Sequence, residues 1–495
     1  MEGLSHGSVR LPRSKSESNR ALMIAAYGGF LFETENGERG TENGTAKPST
    51  ERSELKRNGE ALNEAERVKT ENEFCSVFRI PFSVSEAHDT VLLQALLQKI
   101  FAADQVDAFP SARLHGSSDR SASSVGSDAV LVDCEDAGTV ARFLLPFLAG
   151  REGTWLVTGT DRLCQRPMAP LVGALRQLGA RIDCLGKEGF LPLHVQGRPL
   201  RGGALTLDGS QSSQFASALL LAAPLWEEGL SLHLVGTVAS RPYLDMTLSM
   251  MRQAGAVVHE APEGILTVLP KPYQACCFDI AADWSAASYW YEWVALNAPC
   301  SLRLEGLRMP SLQGDAVVAA WYSRFGVHTL FDEGGAVLRS EGGSQSNPAA
   351  PAAFGSVAPS AFPGPSLTFS FEDHPDLFPA VLVTCVALHR PAVFTGIRNL
   401  SLKESDRVKS LITELSKIYT FNNIIEEDKI VLQESSLLYQ NEFECVVSLD
   451  THHDHRVALA LAPLQKRFPR VTLCHPEVVS KSYPSYWAEN EALAD

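Results

Sequence analysis

Residues 171–182 read LVGALRQLGARI: apolar positions three and four apart, then a glycine, then a β-branched strand start. The spacing predicts an amphipathic helix closed by Gly179, because glycine takes the left-handed backbone of a helix end without steric cost. The same order returns in LSMMRQAGAVV (248–258), with Gly255, and in VAAWYSRFGVHTL (318–330), with Gly326. These glycines stand 76 and 71 residues apart. A fourth copy, SLITELSKIYTF (410–421), has Tyr419 at the equivalent place, and its 93-residue interval shrinks to about 69 once residues 342–365 are set aside. A fainter copy, TVLLQALLQKI (90–100), precedes them. A period near 70 residues, each holding helices and short strands, predicts an α+β chain assembled from repeated units rather than one large sheet.

A chain of 495 residues exceeds one ordinary core, so several domains are expected. Three stretches interrupt the repeat: 33–73, rich in Glu, Asn, Gly, Lys and Thr; the polar run 111–127; and GGSQSNPAAPAAFGSVAPSAFPGP at 342–365. Each is too poor in large apolar residues to offset its ordering entropy, so each is expected to be a flexible insertion, with a transient helix near 62–69 in the first. No apolar run reaches membrane-spanning length, and MEGLSHGSVRLP lacks the marks of a secretory or transit segment; a cytoplasmic setting without membrane contact is expected. Ten scattered cysteines without a C-x-x-C pair argue against a disulfide framework or a thiolate metal site. A formal charge of −15 argues against nucleic-acid binding while leaving room for a local basic pocket.

Several motifs place cations and hydroxyls at helix starts. SKSESNRALMIAA (14–26) sets Lys15, Ser16, Ser18 and Arg20 ahead of an apolar helix, where free backbone N–H groups favour an anion. In GSQSSQF (209–215), Ser210, Ser212, Ser213 and Gln214 serve either as caps or as ligands to a phosphate and a polyol. LKESDR (402–407) carries Lys403, Glu404 and Arg407; a four-residue spacing predicts both cations on one helical face, a repulsion that an anion would relieve. In THHDHRVALALAPL (451–464) the histidines are too crowded to converge on a metal, and Arg456 is the more useful anion ligand. Arg142, Arg166, Ser240, Tyr243, Asp376 and Lys481 are further candidates. A unit charge pair at about 4 Å gains on the order of 4 kcal/mol before desolvation, so a dianion needs several together.

Taken in order, SKSESNRA, AGTVARF, QRPMAPLVGALRQLGA, GSQSSQF, SRPYLDMTL, DWSAASYW, LQGD, PDLFPAV, LKESDR, HDHRVALALAPL and SKSYPSYW resemble the 5-enolpyruvylshikimate-3-phosphate synthase family over nearly the whole chain outside the three insertions. The resemblance implies two similar domains, each of three repeated α/β units in an inside-out α/β barrel arrangement. One would comprise residues 1–13 and 279–495, the other 14–278. It also implies transfer of the carboxyvinyl group of phosphoenolpyruvate to the 5-hydroxyl of shikimate 3-phosphate through a tetrahedral intermediate, with no cofactor or metal, by a monomer. Carried over residue by residue, it assigns shikimate 3-phosphate to Ser16, Arg20, Ser212, Ser213, Gln214, Ser240, Tyr243, Asp376, Asn399 and Lys403. It assigns phosphoenolpyruvate to Lys15, Gly138, Arg166, Gln214, Arg407, Arg456 and Lys481. Asp376 would take the hydroxyl proton and Glu404 would supply the methylene proton, with Lys15 and Lys481 assisting.

The chain departs from the family at four places. Arg13 replaces a small residue before SKS and is expected to crowd or supplement the phosphate pocket; Asp136 brings a negative charge beside the phosphoenolpyruvate site. Tyr419 stands where glycine is expected, and LFPAV after Asp376 is bulkier than usual. Two rival readings accompany the main one: a silent phospho-ligand binding protein, motivated by Arg13 and Asp136, and a UDP-N-acetylglucosamine enolpyruvyl transferase, for which Cys164 sits at the wrong spacing.

Overall fold

The computed structural model describes residues 5–29, 32–33, 77–78, 83–107, 129–341, 367–438 and 445–493. The expected insertions at 111–127 and 342–365, and all of 33–73 except Glu33 at the end of the Phe32–Glu33 strand, lie outside them, as does the expected helix at 62–69.

One sheet pattern recurs four times among the described residues. In the copy nearest the quoted stretch, Val130–Asp133 runs parallel to Gly153–Thr158, followed by antiparallel Leu193–Gly197 and, at the edge, Arg181–Cys184. A parallel pair needs a crossover, which here is the Gly138–Ala149 helix; the hairpin at the other edge needs none. Strands Gly203–Asp208, Leu230–Val235, Ile265–Val268 and Val258–Ala261 repeat the order, as do Leu367–Ser370, Ala392–Thr395, Lys429–Leu437 and Tyr419–Glu426.

The fourth copy is assembled from two distant pieces of chain. Ser5–Arg10 supplies its first strand and runs parallel to Cys300–Glu305, with Ser5 opposite Cys300. Just beyond, the chain passes itself: Ser14 donates its N–H to Ala281 at 2.8 Å and Asp283 to Pro12 at 2.9 Å. These two strands of chain separate two hydrophobic clusters, one built from residues between Ala21 and Ile280, the other joining Val9 and Leu11 to residues between Ala282 and Tyr486.

The helices occupy the middle of each cluster. Ser213–Ala222, Trp284–Leu296 and Phe378–Ala387 are buried on nearly every side, as their all-round apolar sequences require, whereas strands such as Val130–Asp133 bury alternate residues and turn one face outward. Helices inside and sheets outside is the expected inside-out α+β arrangement. No described helix is long and apolar enough to cross a membrane.

The repeat glycines close helices as expected. Gly179, Gly255 and Gly326 lie at φ 93°, 83° and 80°, and the N–H groups of Ala180 and Ala256 reach back to Leu175 and Met251. The copy at 410–421 corrects the sequence reading. Tyr419 is already the first residue of its strand; the buried residue after the helix, equivalent to Ala180, is Ile418, so the glycine position falls on Lys417. Lys417 is absent from the positive-φ residues, and the turn closes through Lys417 N–H to Glu414 and Ile418 N–H to Leu415.

Glu292 is a buried exception inside the Trp284–Leu296 helix: fully shielded, neither carboxylate oxygen hydrogen-bonded, its pKa pushed well above the usual range by burial. A raised carboxyl pKa contributes stability at acid pH that is lost as pH rises, because unfolding then releases the proton. Glu292→Gln is therefore expected to raise the melting temperature at pH 8 by about 2–4 °C per kcal/mol recovered, the gain shrinking toward pH 5. Calorimetry at both pH values checks this; an equal or inverted difference overturns it.

A cleft of shared charges at the candidate active site

Three helix starts from the first cluster face the second. Ser14 caps the Lys15–Gly28 helix by accepting from Glu17 N–H at 3.4 Å, which turns Lys15 and Ser16 outward. Arg20, one turn on, is nearly buried and donates to Thr247 Oγ1 at 2.6 Å, to the Ser16 carbonyl at 2.8 Å and to the Tyr243 carbonyl at 3.0 Å. Burial lowers its pKa to about 10, against the pull of Tyr243 and Glu17. Ser212 caps the Ser213–Ala222 helix, so both of the alternatives left open for the serines meet here: the cap itself lines the cleft. Gln214 is held by Arg142, which donates to its Oε1 at 2.6 Å, and by Thr139. Ser240 sits in left-handed backbone at φ 57° and donates its N–H across the cleft to the Glu372 carbonyl at 2.9 Å.

The opposing wall comes from the second cluster. Asp376 lies in the short turn Pro375–Leu377, and Arg407 opens the Arg407–Leu415 helix. The Arg407 guanidinium, 1% exposed, bonds Asp454 at 3.0 Å, Asp376 at 2.9 Å and Glu404 at 3.0 Å. Arg456 donates to the other Asp376 oxygen at 2.6 Å. Lys481 reaches Asp136 Oδ2 at 2.7 Å and Glu404 Oε1 at 3.5 Å, and Arg166 approaches the same Glu404 oxygen at 3.9 Å. A Cβ on Gly138 would fall 2.5 Å from the Arg166 guanidinium, so glycine is what lets Arg166 lie there.

Together these side chains form an open cleft, lined by Lys15, Ser16, Arg20, Gly138, Arg166, Ser212, Ser213, Gln214, Ser240, Tyr243, Asp376, Lys403, Glu404, Arg407 and Arg456, among others. Lys481 stands behind Glu404, and Asn399 sits on the rim, donating to the Ser210 carbonyl at 3.1 Å. Three expectations are corrected. Lys403 and Arg407 do not share a helical face: Lys403 and Glu404 precede the helix, and both reach the cleft from an irregular segment. Arg13 faces outward and donates to the Ile280 carbonyl at 2.9 Å, so it neither crowds nor supplements the pocket. Ser18 is spent inside the fold, accepting from Ser85 N–H. Sequence reasoning also missed Asp89, which pairs with Lys15 at 3.0 Å, and buried His455; Asp89 stands just before the faintest repeat copy, and no local pattern distinguishes it.

The charges hold one another in unusual states. Burial would raise the Asp376 carboxyl, but Arg456, Arg407 and Lys403 keep it far below the usual range. Burial likewise opposes ionisation of Glu404, and Lys481, Arg407, Arg166 and His455 override it. Lys403 is lowered to about 8, first by burial and then by Arg407 and Arg166, against Asp376 and Glu404. Among the described residues, no group of three or more His, Cys, Asp and Glu stands where it would hold a metal.

Residues 84–489 match the family described as EPSP synthase (3-phosphoshikimate 1-carboxyvinyltransferase). The 3-phosphoshikimate 1-carboxyvinyltransferase of Bacteroides fragilis strain YCH46 is 39% identical over 358 residues, covering 72% of this chain and 82% of that one. The protein of the same name from Methanoregula boonei is 30% identical over 406 residues, 81% and 87% of the two chains. The fold superposes on EPSP synthase from Acinetobacter baumannii with a TM-score of 0.59 at 18% identity, covering 99% of this chain and 96% of that one. The enolpyruvyl transferase NikO from Streptomyces tendae gives 0.58 at 14% identity, covering 100% and 96%.

Asp136 occupies the Lys481 ammonium at 2.7 Å, so an anion reaching Lys481 would compete with it. Asp136→Asn is expected to tighten the binding of inorganic phosphate about fivefold, the equivalent of about 1 kcal/mol for a partly exposed pair. Titration calorimetry measures it; an unchanged or weaker affinity would show that the pair does not compete.

Proposed function

The chain belongs to the EPSP synthase family, the 3-phosphoshikimate 1-carboxyvinyltransferases, and from that premise we propose that the charged cleft is its catalytic centre. The reaction is transfer of the carboxyvinyl group of phosphoenolpyruvate to the 5-hydroxyl of shikimate 3-phosphate, with release of phosphate. One observation carries the assignment: Lys15, Arg166, Arg407 and Arg456 face a single cleft, with Lys481 beside them, although they come from both ends of an acidic chain. Such a set neutralises two multiply charged anions, which no single helix start can do.

In this reading the two hydrophobic clusters are two domains, residues 14–278 and residues 1–13 with 279–495, that close on the substrates. Ser16, Arg20, Ser212, Ser213, Gln214, Ser240, Tyr243, Asp376, Asn399 and Lys403 hold shikimate 3-phosphate. Gly138, as backbone, and Lys15, Arg166, Gln214, Arg407, Arg456 and Lys481 hold phosphoenolpyruvate. The 5-hydroxyl oxygen attacks C2 of phosphoenolpyruvate while Asp376 takes its proton and Glu404 delivers a proton to C3. The resulting tetrahedral ketal then returns a methyl proton to the Glu404 carboxylate as its C–O bond to phosphate breaks, Asp376 passes the hydroxyl proton to the departing phosphate, and Lys15 and Lys481 neutralise its charge.

Ion sharing supplies the proton affinities that this chemistry needs. Without substrate, Asp376 and Glu404 are poor bases because the same cations hold both. Phosphoenolpyruvate engages Arg407, Arg456, Arg166 and Lys481 and draws their field away. Both carboxylates then regain proton affinity at the moment one must accept a proton and the other donate it. Cys164 donates to the Gly159 carbonyl and packs against the first core rather than lining the cleft, which disfavours a role as a loop nucleophile.

Purified protein is expected to release phosphate only when both substrates are present. Glu404→Gln should lower kcat by about 10² to 10⁴-fold, and Lys15→Met by about 10² to 10³-fold, both without loss of the folded state by circular dichroism. Tight shikimate 3-phosphate binding with no phosphate release at any concentration would sink the assignment. Lys403 must be charged to hold an anion, and with a pKa of about 8 it is charged below that pH and neutral above it. The pH profile of kcat/KM for shikimate 3-phosphate should therefore fall above about pH 8, and Lys403→Arg should shift that limb upward; an unmoved limb assigns it to another group.

A further inference from the structure

The segment that carries Lys403 and Glu404 belongs to no long element: it joins the Arg398–Leu402 turn to the Arg407–Leu415 helix. Its backbone is held from across the cleft. Arg162 donates Nε–H to the Glu404 carbonyl at 2.8 Å and Nη2–H to the Lys403 carbonyl at 2.7 Å, so one guanidinium grips two successive peptide groups.

The base from which Arg162 projects is rigid. It lies in the short Asp161–Cys164 helix, whose start is capped by Thr160 accepting from Leu163 N–H at 3.3 Å. Leu163 is 1% exposed within the first core, and Thr160 donates its own N–H to the Glu135 carbonyl at 2.7 Å. Gly159, just before, leaves no room for a Cβ, which would fall 2.4 Å from that same carbonyl. Four residues after Arg162, Arg166 approaches the Glu404 carboxylate at 3.9 Å. One arginine of this turn thus addresses the main chain at Glu404 and the other its side chain, and separation of the two cores breaks both contacts together.

We propose that Arg162 is a positioning residue that sets the Lys403–Glu404 segment in its reactive place only when the cleft is closed. The proposal rests on the roles given above to Lys403 and Glu404. Arg162 itself lines no part of the cleft and touches neither substrate; it acts by aiming Glu404 at the methylene carbon. Because the side chain is exposed, its removal leaves no cavity and no buried charge.

Phosphate release by Arg162→Ala, Arg162→Gln and Arg162→Lys, measured with both substrates varied, tests this. Arg162→Ala and Arg162→Gln are expected to lower kcat roughly 10- to 100-fold, the effect of two lost charge-assisted bonds, while KM for phosphoenolpyruvate stays within about threefold. Arg162→Lys should recover part of the loss, since an ammonium reaches one carbonyl but cannot grip both. The melting temperature should stay within about 2 °C of wild type, as expected for a surface substitution. Active wild type with kcat unchanged in all three variants overturns the proposal alone. A rise in KM for phosphoenolpyruvate at constant kcat also overturns it, making Arg162 a binding residue. A wild type that releases no phosphate removes the functional reading, and this proposal with it.

Discussion

The Arg407 guanidinium, shared among Asp454, Asp376 and Glu404, is the interaction around which the cleft is arranged. Removing water from a cation costs several kcal/mol, which well-placed hydrogen-bonding partners must repay, and for Arg407 those partners are three carboxylates. Asp454 is itself buried and caps the helix that begins at His455, so the arrangement ties the cleft to the core of the second cluster. Asp376 is in turn shared with Arg456, and Glu404 with Lys481 and Arg166. These cations are already paired with carboxylates, so in the function proposed above phosphoenolpyruvate enters the network by exchange rather than by filling a field of bare cations.

Under that proposal, exchange is how an acidic chain hosts acidic ligands. The chain carries a formal charge of −15, whereas the cleft gathers cations from positions as far apart as 15 and 456. Their meeting depends on topology. The strand Ser5–Arg10 pairs in parallel with Cys300–Glu305, and the chain crosses between the cores twice, side by side, at Pro12–Ser14 and Ala281–Asp283. A one-residue slip in that parallel pairing would turn Val9 away from its core and carry Lys15 with it.

The repeated unit is legible in the sequence, because helix periodicity and a left-handed glycine are local requirements. Gly179, Gly255 and Gly326 satisfy them by sequence alone. Tyr419 misled because the fourth copy closes its helix without a left-handed residue, and a missing glycine offers nothing to align. Lys403 and Arg407 misled differently. Four-residue spacing implies one face only if the helix is continuous, and here it begins at Arg407 itself. Arg13 stands one residue from the capped helix start, yet the crossing of the two chain segments turns it outward to Ile280.

Helix starts, caps, the repeat and the identity of the charged residues were determined by sequence alone, since each depends on neighbours a few positions away. Which carboxylate faces which cation was decided only by the tertiary structure. Asp89 on Lys15, Asp136 on Lys481 and Arg162 on the Lys403 and Glu404 carbonyls join residues between 74 and 345 positions apart. Electrostatic pairing falls off with distance in space and is indifferent to separation along the chain, so no reading of local pattern contains it.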